Sequence, residues 1–235
     1  MCFALLLLRS SEMETTVSKE DYLKAISEAA NEGEPVIAAT LARWLQVTPA
    51  AVTTALRRLR KDGLVSVSAD GQVELTQSGA EIAGRIRFRH HLIERMLSEM
   101  FGMSWYKVHD EAERLEHAVS SDFEMLLVEK LGSTGVCPHG NNIQGDGPAE
   151  RRRRGLQPLT ELPPGAGGQV MCVFERDRTL LEYLDNLGVH PGASVRMLNR
   201  NPDATFSISV GQQTCHLGEH AADKIWIGND GVEER

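Results

Sequence analysis

The stretch HDEAERLEH, His109 to His117, concentrates the side chains best able to do chemistry. On a helix, His109, Glu113, Glu116 and His117 stand at offsets 0, 4, 7 and 8 and line one face. The upstream segment RHHLIERML adds His90 and Glu94 four residues apart, again on one face. Imidazoles and carboxylates without thiolate make a moderately hard donor set, suited to six-coordinate Mn²⁺ or Fe²⁺, although zinc also binds such groups by raw affinity. An isolated Glu-x-x-His is usually a solvated helix face. Two stripes with six donors on neighbouring helices favour an ion, and Glu113 and Glu116 repel within a turn unless a cation or proton lies between them.

A second segment has the opposite charge. Between Val36 and Asp62 the bases Arg43, Arg57, Arg58, Arg60 and Lys61 outnumber one acid, whereas from His109 to Glu129 seven acids face Arg114 alone. The overall charge of −8 argues against nucleic acid, but this local patch is suited to meet phosphate. In TPAAVTTALRRLRKDG, the short side chains of Thr48, Ala50, Ala51, Thr53 and Thr54 let a helix start approach base edges, and Arg57 and Arg58 suit phosphate contacts.

These residues need elements to position them. SKEDYLKAISEAA reads as a first helix with a Ser cap and an acidic first turn, and VIAATLARWLQV as a second short helix ending near Val47. Thr48 as N-cap with Pro49 at the first position opens a third, closed by Gly63. LVSVSADGQVELT then predicts a hairpin around Ala69–Asp70–Gly71. Helix, helix, basic helix and hairpin is the order of a winged helix-turn-helix, assigned to residues 18–77. A long helix broken at Gly102, a helix over roughly Ser104 to Val119 and a further one in SSDFEMLLVEKLG form a helical domain, 78–145. Its apolar positions beyond the ligand face, Ile93, Met96, Leu97, Met100, Phe101, Leu126 and Leu127, predict a homodimer, and two-fold symmetry pairs with palindromic DNA.

The Gly- and Pro-rich segment 146–168, with Arg151 to Arg154, reads as a solvated linker. Residues 169–235 alternate β-like runs with one short helix, RTLLEYLDNLG, and fit a small β-barrel. The expected fold class is therefore α+β in three modules. Hydrophobic residues at 41% and charged residues at 25% exclude a disordered or fibrous chain. The seven apolar residues Cys2 to Leu8 are too few to span a bilayer and lack signal-peptide flanks, so 1–17 is expected to be a disordered extension and the chain cytoplasmic, with no membrane partner. Four scattered cysteines without a CxxC pair give no disulfide framework or zinc knuckle. No HExxH, nucleophile elbow or phosphate loop supports an enzyme. A winged-helix regulator sensing a small molecule through its C-terminal domain is the alternative.

The segments EDYLKAI, TPAAVTTALRRLRKDGLV, RHHLIERML, KVHDEAERLEH and CPHGN, spanning about Lys19 to Pro138, resemble the iron- and manganese-dependent repressors of the diphtheria toxin repressor and MntR type. KVHDEAERLEH is the specific part. The resemblance implies a repressor of metal-ion uptake genes activated by Mn(II) or Fe(II), with an SH3-like (FeoA-like) C-terminal domain. It implies a primary site of Asp21, Glu113, Glu116 and His117, reached also by Cys137, and a secondary site of His90, Glu94 and His109 joined by Glu175. Where iron-type members carry Met and Cys, this chain has Asp21 and Glu113, harder donors that favour Mn²⁺. The shorter manganese regulators have an acid one turn after the position of Asp21, where this chain has Lys24.

Overall fold

The computed structural model describes residues 19–145 and 147–228; the expected extension 1–17 lies outside them. Helix α1 (Lys19–Asn31) begins with Glu20 and Asp21, which favour the positive end of a helix, and buries Leu23, Ile26 and Ala29. After α2 (Ala38–Trp44), α3 (Pro49–Lys61) starts as expected: the Thr48 side chain accepts from the Ala51 amide. Val52, Leu56 and Leu59 turn inward from α3. Gly63, at φ +71, ends the helix: the Leu64 amide donates to the Leu59 carbonyl at 2.9 Å and the Gly63 amide to Arg60 at 3.1 Å. The wing follows as β1 (Val65–Val67) and β2 (Val73–Leu75), paired antiparallel, with Val65 and Val73 closing the core of this unit.

Helix α4 (Gln77–Arg95) is capped by Thr76 and continues through Met96–Met100 as a wider turn before Gly102 stops it. Its buried run His90, His91, Leu92, Ile93 and Glu94 carries polar donors beside core residues. Helix α5 (Val108–Leu115) is shorter than the expected Ser104 to Val119. Residues 104–107 form a turn closed by Lys107 onto Ser104, and the Ala118 amide reaches Leu115, so Glu116 and His117 lie just past the helix. Helix α6 (Ser121–Leu131) packs on α4 through Leu127. Of the positions expected at a dimer face, Ile93, Met96, Leu97 and Leu127 are core residues of the subunit itself; Met100, Phe101 and Leu126 are exposed, together with Phe123 and Met125.

The segment read as a linker is instead folded. Gly147 and Pro148 start α7 (Pro148–Arg153), a cap and first-position signal overlooked in a Gly-rich stretch. Arg151 is 3% exposed, bonded to Glu32 in the turn after α1 and to Asn141; Arg152 pairs with Glu161, and both guanidinium groups lie over Trp226. Burial and acidic partners thus replace the solvated run. The C-terminal sheet begins at β3 (Gln157–Pro158), before the expected residue 169, and continues with β4 (Gly167–Val173), β5 (Ser194–Arg200), β6 (Thr205–Val210), β7 (Gln213–Gly218) and β8 (Ile225–Gly228). These pair antiparallel in the order β3-β8-β4-β5-β6-β7, with bulges at Val170/Cys172 and Met197/Asn199 that bend it. Helices α8 (Arg178–Asn186) and α9 (Glu219–Asp223) cover a core of Leu181, Leu184, Met197, Ile208 and Leu217. Trp105, whose indole donates to Asp185 at 2.7 Å, fastens this unit to the helical one. No helix among the described residues is long and apolar enough to cross a membrane.

Candidate metal centre

Four pieces of chain converge on one polar interior. Helix α1 presents Asp21, Lys24 and Glu28 at helical spacing; α4 presents His90, His91 and Glu94; α5 and the turn after it present His109, Glu113, Glu116 and His117. The fourth piece is shared between the loop 137–141 and Glu175–Arg176 after β4. A tight turn, with the Gly140 amide bonded to the Cys137 carbonyl, lays this loop along β4, where the Val173 amide donates to the His139 carbonyl.

The first donor group is Asp21, Glu116 and His117. His117 Nε2 lies 2.6 Å from Asp21 Oδ1 and 3.4 Å from Glu116 Oε1, while its Nδ1 lies 2.8 Å from Glu20 Oε2. A histidine that donates one ring N–H to a carboxylate is oriented to ligate through the other nitrogen, so Glu20 is a positioning partner that spacing alone did not reveal. Burial lowers the proton affinity of His117, but Glu20, Asp21 and Glu116 more than offset it and raise its pKa.

The second group is His90, Glu94, His109 and Glu175, all buried. His90 Nε2 is 3.0 Å from both Glu94 Oε1 and His109 Nδ1, and His109 Nδ1 is 3.2 Å from Glu94 Oε1. Beside it stands a third, His91, Glu94, Cys137 and Glu175. His139 Nδ1 adds itself at 3.4 Å from Glu94 and 3.7 Å from Cys137 Sγ. Burial works against the charge of Glu94 and Glu175, yet His139 and His90 beside the first and His91 and His139 beside the second hold both well below the usual carboxylate range. Burial, with Glu94 and Glu175, pushes the Cys137 thiol well up.

These donors fit divalent ions on an observation independent of their types. Buried polar atoms are normally satisfied, but Glu116 Oε1 in the first group, and Glu94 Oε2 and His139 Nε2 in the others, have no hydrogen-bond partner among the described residues. Nitrogen and carboxylate oxygen dominate, which suits Mn²⁺ or Fe²⁺.

The expected site residues are distributed as follows. His90, Glu94, His109 and Glu175 come together, as do Asp21, Glu116 and His117. Cys137 lies with Glu94 and Glu175 and not with Asp21. Glu113 turns away from Asp21: its Oε1 accepts from Lys24 at 2.8 Å and lies 3.4 Å from Arg176, whose guanidinium also binds Glu28 and lies 5.0 Å from the Trp44 ring centre. His91 and His139 were overlooked, although RHH and the Cys-x-His of CPHG carry both. Thr48, Ala50, Ala51, Thr53, Thr54, Arg57 and Arg58 are exposed on the cap and outer face of α3.

Comparison with known proteins follows this division. Residues 14–73 match the family profile "Iron dependent repressor, N-terminal DNA binding domain", 76–145 match "Iron dependent repressor, metal binding and dimerisation domain", and 157–228 match the FeoA domain. The chain is 34% identical over 227 residues to the iron-dependent repressor IdeR of Mycobacterium tuberculosis, covering 91% of this chain and 98% of that one. Among solved structures, a manganese-dependent transcriptional repressor in complex with manganese aligns with TM-score 0.80 and 31% identity, covering 90% of this chain and all of that one. The manganese regulator SloR aligns with TM-score 0.76 and 28% identity, covering 92% of this chain and all of that one.

Proposed function

The chain belongs to the iron-dependent repressor family, and from that premise we propose that it is a DNA-binding transcriptional repressor activated by Mn²⁺ or Fe²⁺, acting as a homodimer on palindromic operators of metal-uptake genes in the cytoplasm. One observation carries the metal reading. Asp21 belongs to the winged-helix unit, while Glu116 and His117 belong to the helical unit, so their donors face each other across the junction that must be fixed for DNA reading. A bound divalent ion would add charge between Asp21, Glu116 and His117, and acts as corepressor because it favours the arrangement in which these donors meet.

The chain's own groups do the rest. Asp21 carries the α1 end of the DNA reader to the junction, Glu20 holds His117 in orientation, and α3 presents its threonines and arginines outward. The harder donor at Asp21 keeps the preference for Mn²⁺; Glu113, bonded to Lys24, no longer contributes to it. The exposed patch of Met100, Phe101, Phe123, Met125 and Leu126, with Phe101 71% exposed, supports a second copy as the partner that covers it.

Mobility-shift titrations on operator DNA test the reading. Affinity should rise with Mn²⁺ and Fe²⁺, fall on chelation and return on readdition; equal binding by metal-free protein would sink it. Arg57→Ala or Arg58→Ala should weaken binding across sequences and reduce the salt slope by about 1 for each phosphate that the variant no longer neutralises.

Acidity should oppose the ion. The raised pKa of His117 means that the metal-free protein keeps this proton to a higher pH than an ordinary imidazole. Its ion pairs with Glu20 and Asp21 stabilise the metal-free fold below the unfolded pKa and are lost as pH rises through the folded one. Ligation requires the neutral ring, so Mn²⁺ affinity at this group should rise about tenfold per pH unit while His117 is protonated, then level off. Calorimetric titrations from about pH 6 to 8.5, bracketing an ordinary imidazole pKa, that gave a flat affinity would contradict this.

A further inference from the structure

Lys24 is 2% exposed, in a chain whose other lysines are mostly at the surface. Its ammonium nitrogen lies 2.9 Å from His90 Nδ1, 2.8 Å from Glu113 Oε1 and 2.7 Å from Glu116 Oε2. Those three residues are themselves a set of donors close enough to hold one metal ion. Divalent ions sit about 2.0–2.6 Å from their ligand atoms. The ammonium already takes up the same three donor atoms, so a metal ion and Lys24 compete for one set of donors.

We propose that Lys24 is the resident cation of the His90, Glu113 and Glu116 pocket, a selectivity residue that denies this pocket to metal and leaves Glu113 outside the ligand set. The inference rests on the metal-dependent reading above and adds to it a limit on how many ions the centre takes. Three further features support it. Glu113 is also engaged by Arg176, at 3.4 Å, so its charge is answered twice by the chain's own cations. Glu116 divides its oxygens, with Oε2 on Lys24 and Oε1 without a hydrogen-bond partner among the described residues on the side of Asp21 and His117. Lys24 also lies on α1, whereas its three partners lie on α4, α5 and the turn after it, so the side chain fastens the DNA reader to the helical unit with no metal in that pocket.

The test counts Mn²⁺ bound per full-length subunit by equilibrium dialysis, with free Mn²⁺ read by electron paramagnetic resonance. In the unsubstituted chain, Glu113→Gln should leave the count unchanged. Lys24→Glu, which trades the cation for a carboxylate, should gain one ion per subunit, and that ion should be lost again in the double variant with Glu113→Gln. Loss of an ion from the otherwise natural chain on Glu113→Gln would overturn the proposal, as would a folded Lys24→Glu protein that gains none. If Lys24→Glu fails to fold, as judged by circular dichroism, the Glu113→Gln count decides alone. A natural chain that binds no Mn²⁺ at all would sink the metal-dependent reading and this one with it, whereas a count that depends on Glu113 would sink this one only.

Discussion

Glu116→Ala should lower Mn²⁺-dependent operator affinity by at least about 100-fold, more than the loss typical of a residue that merely orients a ligand. The side chain is wholly buried, and each of its oxygens faces a different set of neighbours. One oxygen faces Asp21 and His117; the other lies 2.6 Å from His90 Nδ1 and 2.7 Å from the Lys24 ammonium. Truncation removes one member of the first donor group and the carboxylate that lies against His90 of the second. It also leaves Lys24 with Glu113 as its remaining carboxylate within hydrogen-bond distance. Breaking a buried ion pair costs about 3–5 kcal/mol, so the metal-free variant should also unfold at a lower temperature. Calorimetry and mobility shifts on the same preparation separate the effects. Undiminished Mn²⁺ stimulation of DNA binding would remove Glu116 from the centre.

Gly140→Ala should have the next largest effect, although residue 140 donates nothing to an ion. Gly140 has φ +81, and a Cβ there would lie 1.8 Å from the Met171 carbonyl oxygen. The left-handed backbone alone costs an L-residue about 1–2 kcal/mol, and the overlap with β4 can be relieved only by moving the loop. That movement breaks the Val173 to His139 backbone bond and withdraws Cys137 and His139 from Glu175. The expected result is a loss of at least about 2 kcal/mol in urea unfolding together with weaker binding at the Glu94 and Glu175 groups, while Asp21, Glu116 and His117 keep theirs. Unchanged unfolding with a full complement of ions would show that the loop is not needed.

The local features were legible because local chemistry writes them. Thr48 and Pro49 mark the start of α3, Gly63 its end, and the i, i+4 pair of His90 and Glu94 marks a shared helix face. What could not be read was set by distant chain. Lys24 stands out in the sequence only as a departure from the manganese regulators, and its burial and partners appear once α4 and α5 close around it; Arg151 looks solvated until Glu32, 119 residues away, reaches it. Glu113 has the right spacing for the ligand stripe, but Lys24 and Arg176 draw it aside. The exposed apolar face was half legible for the same reason, since periodicity marks apolar faces without saying which are covered within the subunit.

The thiol in the loop has a bearing on oxidants. Cys137 is buried, with its Sγ 3.5 Å from Glu175 Oε2, and burial together with two carboxylates keeps it protonated. The thiolate is what attacks peroxide and electrophiles, and a thiol held in its acid form beside negative charge is a slow nucleophile. In the metal-free protein the Cys137 sulfur, beside the Glu94 and Glu175 donors, should therefore react slowly with hydrogen peroxide, which mass spectrometry of the oxidised protein would check.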